Sequence, residues 1–382
     1  MGIGGTERQV LELSKILKKR GYTVLVYVLE KKISTFTKEL KNNNIPIKYI
    51  NTNFDKKYSQ GIYRFVLLKK IFSILRVLLS KYSKSFIETV KKDKPDILYS
   101  FGTLPCSLAV IAKKHIKTKI IWGIRSTNII TAYPRLVDWY YLVQSIIYSR
   151  LADVIISNSI AGKNIYIRYR FQKEKIVVIP NGIDTNIFKP NIEMRNKFRK
   201  MYGIHMNELV IGHAARLDPL KDHQNFLHSV SIFIKSHPCA RFCIAGDGKE
   251  KYIKELKVLS QQLGVERNLI WLHTFHSMPD FYNAIDFLTL TSISEGFPNV
   301  IVEAMSCGKP CITTDVGDGA LIVKGTGFSV PKSNPEKLAE GWEKMYRKIN
   351  SVDTSNICRR KVIKNYSVTI LTNRFCEVID SL

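Results

Sequence analysis

The chain has 382 residues, 45% hydrophobic and 24% charged, which supplies two buried cores and excludes a mainly disordered protein. No apolar run approaches the ~20 residues that a membrane span requires. The net charge of +27 is unevenly spread, with 33 Lys and Arg against 12 Asp and Glu up to Thr185, and 26 against 20 beyond it.

Gly4 and Gly5 lead into a helical pattern over 7–21. A glycine turn of this kind normally follows a central strand, so the first strand of the domain is expected to be missing. Strands are predicted over 23–29, 47–50, 96–101, 119–124, 153–158 and 175–180. Between the second and third of these, residues 62–81 sort on a helical wheel. Phe65, Leu68, Ile71, Phe72, Leu75 and Leu79 share one face, and Lys69, Lys70, Arg76 and Lys81 share the other. Two readings stand: an ordinary helix on a domain core, or a helix lying in an anionic headgroup layer.

The polar stretch 190–199 reads as the linker side of a domain boundary. Beyond it, strands are predicted over 209–215, 241–246, 269–273, 287–292 and 310–315, with a helix over 223–237. Short apolar runs alternating with helices imply an α/β protein with parallel sheets, built as two Rossmann-like domains in series. Seven scattered cysteines without a C-x-x-C pair suit reduced thiols and a cytoplasmic setting. Cys239 and Cys243, and Cys307 and Cys311, lack a nearby histidine pair, so no metal site is expected.

The basic first half beside a nearly neutral second half implies that one domain meets a polyanion: nucleic acid, anionic membrane or a phosphorylated substrate. The densest motif, SISEGFPNVIVEAMSCGKPCITTDVG over 292–317, narrows the chemistry. A strand ends near Ser292, a turn carries Glu295, Gly296, Phe297 and Pro298, and a helix begins near Asn299. Free N–H groups around Phe297, Asn299 and Val300 would form an anion site at the helix N-terminus. Glu295 and Glu303 could accept hydrogen bonds from the hydroxyls of a polyol.

This block resembles the Glu-x7-Glu signature of retaining nucleotide-sugar glycosyltransferases of family 4. Further stretches fall in that family's order: GIGGTERQVLELSKILKKRGYTV (2–24), VIPNGIDTNIF (178–188), ARLDPLKDH (215–223) and IAGDGKE (244–250). The resemblance implies a GT-B fold, two Rossmann-like domains facing across a cleft. The expected bounds are 1–188 for the acceptor side, 189–360 for the donor side, and a C-terminal helix over 361–382 packing back on the first domain.

By the same resemblance, Arg216 and Lys221 grip the donor diphosphate, Glu303 holds the ribose hydroxyls and Glu295 contacts the donor sugar. Arg216, Lys221 and Glu295 are then the catalytic set. Gly4 and Gly5 let the backbone approach the phosphates, alongside Gly296, Phe297, Asn299 and Val300. Many family members carry a histidine after the strand matching 119–124. Here the sequence is GIRSTN, so Arg125 and Ser126 stand on the acceptor side, and Arg125 cannot serve as a base. No metal or other cofactor is implied. The implied partners are a nucleotide-sugar, a glycan or polyprenyl-linked acceptor and an anionic membrane surface at the inner face, and not nucleic acid.

Rival readings remain at this stage. A glycoside hydrolase also uses two carboxylates, but the adjacent phosphate-binding residues favour a nucleotide-sugar. A nicotinamide enzyme needs G-x-G-x-x-G after a strand, which neither IGGTER nor AGDGKE supplies. A nucleic-acid-binding protein explains the charge and leaves the Glu-x7-Glu block unexplained. A truncated, inactive glycosyltransferase remnant is the last alternative.

Overall fold

A computed structural model describes residues 5–29, 34–50, 81–125, 127, 136–273, 277–349 and 353–382. Gly4, Ser126 and residues 62–80 of the amphipathic segment lie outside the described residues. The chain divides into two units, one of Met1–Asn158, Gly162–Ile179 and Thr372–Leu382, the other of Ser159–Ala161 and Pro180–Leu371.

The first unit begins with helix α1 (Gly5–Lys19), followed by a parallel pair of strands, β1 (Val26–Val28) and β2 (Ile47–Tyr49). Helix α2 (Thr35–Asn42) connects them. Its start is set by Ser34, whose hydroxyl accepts from the Thr37 N–H while Thr37 Oγ1 accepts from the Ser34 N–H, a reciprocal cap. Leu11, Phe36, Leu40 and Ile45 form the core beneath this pair.

A second, four-stranded parallel sheet of the same unit runs β3 (Ile97–Phe101), β4 (Lys119–Ile124), β5 (Val154–Ser157), β6 (Ile176–Val178) in spatial order. From Ile120 to Ile124 the β4 strand is buried at every residue, the pattern of a parallel strand covered on both faces. Among the described residues no strand joins the pair β1–β2 to this sheet.

The second unit holds one six-stranded parallel sheet in the order β12-β11-β10-β7-β8-β9. Its strands are β7 (Val210–Ala214), β8 (Arg241–Ala245), β9 (Leu269–Trp271), β10 (Phe287–Leu290), β11 (Cys311–Thr314) and β12 (Phe328–Val330). The short β12 has no counterpart among the sequence predictions, because FSV is too brief to show a period. Hydrophobic clusters cover both faces, one around Phe281, Ile301 and Met305, the other around Phe226, Phe242 and Trp342. The buried Trp342 satisfies its indole N–H on Thr289 Oγ1 at 2.9 Å.

One expectation changes. The stretch 190–199 is not a linker: it enters a helix over Ile192–Met201 capped by the Asn191 side chain, and Arg199 is fully buried. Asp286 supplies the reason, accepting from both Arg195 and Arg199. The contact-based units divide at Ile179/Pro180. Residues beyond that point bond into the second unit, with Ile183 N–H donating to the Tyr366 carbonyl and Asn181 to Asn299. At the other end, a helix over Thr354–Tyr366 stays with the second unit, and residues from Thr372 count with the first. There the Phe375 ring lies 5.1 Å from that of Tyr99.

Candidate functional site

In the second unit the chain starts at β7, proceeds outward to β8 and β9, then returns to the other side of β7 with β10. Ligands of open α/β sheets sit beyond the carboxyl ends of the strands where such a reversal occurs. The segments leaving β7 and β10 carry Arg216, Lys221 and Glu295, so the fold brings together residues 74 positions apart.

Lys221 ends a 3-10 turn over Pro219–Lys221, started by Asp218, whose carboxylate accepts from the Leu220 N–H at 3.0 Å. Asp222 follows in the left-handed region at φ 47° and caps a helix over His223–Phe233. Ser333 Oγ donates to its other carboxylate oxygen at 2.7 Å. Lys221 Nζ is ion-paired with Glu295 Oε1, both side chains largely shielded from water. Ser292 Oγ donates to the same Glu295 oxygen at 2.7 Å.

Two glycine motifs acquire a steric cause. A Cβ at Gly246 would lie 1.9 Å from the Ala215 carbonyl oxygen, and one at Gly317 would lie 2.6 Å from those of Glu295 and Gly296. Both residues also have positive φ, 156° and 58°, so only glycine fits. The loops after β8 and β11 thereby press on the main chain beside Arg216 and Glu295.

Arg216 presents an exposed guanidinium, 3.3 Å from Asp218. The helix over Asn299–Ser306 has Pro298 at its N-cap and no side-chain cap hydrogen bond, and Asn299 Oδ1 accepts from Asn181 at 2.8 Å. Gly296 gives its carbonyl to the Asp318 N–H. Phe297 is a core residue, its ring 5.7 Å from Tyr366, so any ligand contact there belongs to its backbone. Val300 packs at the edge of the same core. Glu303 is only 4% exposed and accepts from the buried Tyr282 hydroxyl at 2.8 Å. The structure therefore joins Glu295 to Lys221 and Glu303 to Tyr282.

In the first unit, Gly5 is the first residue of α1. Arg125 donates to the Tyr99 hydroxyl at 3.1 Å and lies 5.1 Å from the Phe101 ring centre. Burial pushes the Tyr99 phenol above its ordinary range, against the pull of Arg125.

Sequence reasoning did not single out His213, Thr291 or Tyr282. The available signal was a polar residue inside a buried strand, as in VIGHA, where a donor without a partner would be costly. Among the described residues, no group of three or more His, Cys, Asp or Glu is placed to hold a metal ion. No described helix is long and apolar enough to cross a membrane.

Residues 3–187 match the family model Glycosyltransferase Family 4, and residues 194–361 match Glycosyl transferases group 1. The structure superposes on a crystal structure of Anabaena Alr3699/HepE in complex with UDP, with a TM-score of 0.83 and 22% identity over 100% of this chain and 97% of that one. The chain has the GT-B fold, and its two regions match glycosyltransferase families. The fold class expected from the sequence is therefore the one found. Among curated relatives, the putative glycosyltransferase EpsF of Bacillus subtilis is 28% identical over 47% of each chain. The UDP-Gal:alpha-D-GlcNAc-diphosphoundecaprenol alpha-1,3-galactosyltransferase of Escherichia coli is 28% identical over 51% of each. The match thus spans about half the length of these relatives. Arg216, Lys221, Glu295 and Glu303 of this GT-B chain all fall within the group 1 region.

Proposed function

We propose that this protein transfers a hexosyl unit from a UDP-sugar, with retention at the anomeric carbon, to a glycan or lipid-linked acceptor in cell-surface polysaccharide synthesis. The observation that carries this reading is the Lys221–Glu295 pair across the point where the sheet order reverses. A cation and a carboxylate side by side suit the junction of a phosphate and a sugar. The UDP complex of the structural neighbour and the UDP-Gal donor in the Escherichia coli relative's name support the choice of base.

In this scheme the diphosphate lies against Arg216, Lys221 and the N–H groups at Asn299 and Val300. These groups stabilise the charge that develops on the leaving oxygen, with no metal ion taking part. The bond from the anomeric carbon to phosphate breaks as the acceptor oxygen bonds on the same face, and the acceptor proton passes to the departing phosphate oxygen. Glu295 orients the sugar and Glu303 the ribose. Arg125 and Ser126 are assigned to the acceptor. The basic first half, with its excess of 21 positive charges, holds the enzyme peripherally at the anionic inner face of a membrane.

The test is calorimetric titration with UDP, GDP and ADP, followed by NMR of the product's anomeric configuration. UDP binding and a product of unchanged configuration are expected. Binding of none of the three, or an inverted product, would overturn the proposal.

A further inference from the structure

We propose that His213 and Thr291 are positioning residues for Lys221, fixing its main chain so that its ammonium meets Glu295 and a donor phosphate. This rests on the donor-site reading above.

Thr291 Oγ1 donates to the Lys221 carbonyl at 2.7 Å, and His213 Nε2 lies 2.8 Å from the same hydroxyl oxygen. A threonine hydroxyl has one proton. That proton is committed to the carbonyl, so His213 must be the donor in its own bond. This makes it the Nε2–H tautomer, with Nδ1 bare. The structure agrees, since Nδ1 of His213 is buried with no partner.

A buried ring carrying one unsatisfied nitrogen is a poor choice for packing alone, where an apolar residue avoids the cost of desolvating it. The ring is fully buried, against His223 and Phe226 at 4.7 Å each. What it supplies, and an apolar residue would not, is the N–H that orients Thr291.

The connection continues in the main chain. Ile293 N–H donates to the Leu220 carbonyl at 3.0 Å, so the turn bearing Lys221 is bonded at two successive carbonyls to the segment that carries Glu295. The ammonium–carboxylate contact is the third link. With the hydroxyl removed, Lys221 keeps its charge and loses one of the bonds that set where its side chain starts.

The experiment titrates UDP calorimetrically into folded Thr291→Val, Thr291→Ser, His213→Phe and His213→Gln, and into Thr291→Val combined with Lys221→Ala. Thr291→Val and His213→Phe should weaken UDP about tenfold. Serine and glutamine, which keep the hydroxyl and a donor at the same reach, should recover most of it. In the Lys221→Ala background Thr291→Val should cost less than about twofold, the mark of action through Lys221. Undiminished affinity in Thr291→Val, or the same loss with Lys221 absent, would overturn the proposal.

A second measurement needs no ligand. Lysines are dimethylated reductively with 13C, and the Lys221 resonance is assigned by its loss in Lys221→Arg. In Thr291→Val this resonance should shift toward its position in Glu295→Gln. If it stays at the wild-type position, the positioning role is wrong whatever UDP does. If it shifts while wild type binds no UDP, positioning stands and the donor-site reading falls.

Discussion

Lys221 and Glu295 leave different strands of one sheet and close an ion pair across the point where the strand order turns back. This relationship makes the first prediction. Lys221→Ala should weaken UDP binding by on the order of 2–5 kcal/mol, as expected when a shielded charge loses its partner. Calorimetry on protein with an unchanged circular dichroism spectrum checks it. Unchanged affinity would remove Lys221 from the donor site.

Glu303 separates two roles. Its carboxylate takes the Tyr282 hydroxyl, so Glu303→Ala removes both that bond and the proposed ribose contact. Tyr282→Phe removes the bond alone. Uridine, which carries ribose and no phosphate, should lose most of its affinity in Glu303→Ala and keep most of it in Tyr282→Phe. Equal losses in both would make Glu303 a core residue only.

The Gly317 contact predicts a stability effect without any ligand. A Cβ there meets two carbonyl oxygens at 2.6 Å in a left-handed backbone. Gly317→Ala should therefore destabilise by about 1–3 kcal/mol, seen as a lower urea midpoint. Gly203→Ala is the control, since φ is also positive there and nothing lies within 4 Å, so it should cost about 1 kcal/mol.

His223 supplies a pH dependence. Burial first, and Lys221 second, lower its pKa to about 4, against an unfolded value of about 6.5. The folded state resists protonation, so stability is full above about pH 6.5 and falls as the pH drops toward 4, by on the order of 3 kcal/mol. His213 is displaced the same way by burial and by His223 and Lys221. The difference in urea midpoint between wild type and His223→Phe should grow in favour of the variant from pH 6.5 to 4. A constant difference would mean that His223 ionises freely in the folded protein.

Asp286 accepts from Arg195, Arg199 and the Val210 N–H. Asp286→Ala leaves the fully buried Arg199 without its carboxylate and should cost about 3–5 kcal/mol. Chemical denaturation of the second unit measures it.

Much of this was legible in one dimension. Strands such as KIIWGI and RFCIA announce themselves because residues buried on both faces of a parallel sheet form continuous apolar runs. The turn before Asn299 was legible because Gly296, Pro298 and the apolar run after them have local backbone and capping preferences. Gly246 and Gly317 could be read as glycines of a turn, but not as glycines facing particular carbonyls. The helix over Ile192–Met201 was misread because its cations look solvated until Asp286, nearly 90 positions later, lies against Arg199. His213 and Thr291 looked like incidental polar residues until their hydrogen bonds to one another and to Lys221 were placed. Local chemistry is written in neighbouring residues and determined the α/β class, the elements and the motif blocks. The partner of each charge depends on which strands the sheet sets side by side. Only the tertiary structure decided that β10 lies against β7, and hence that Glu295 meets Lys221.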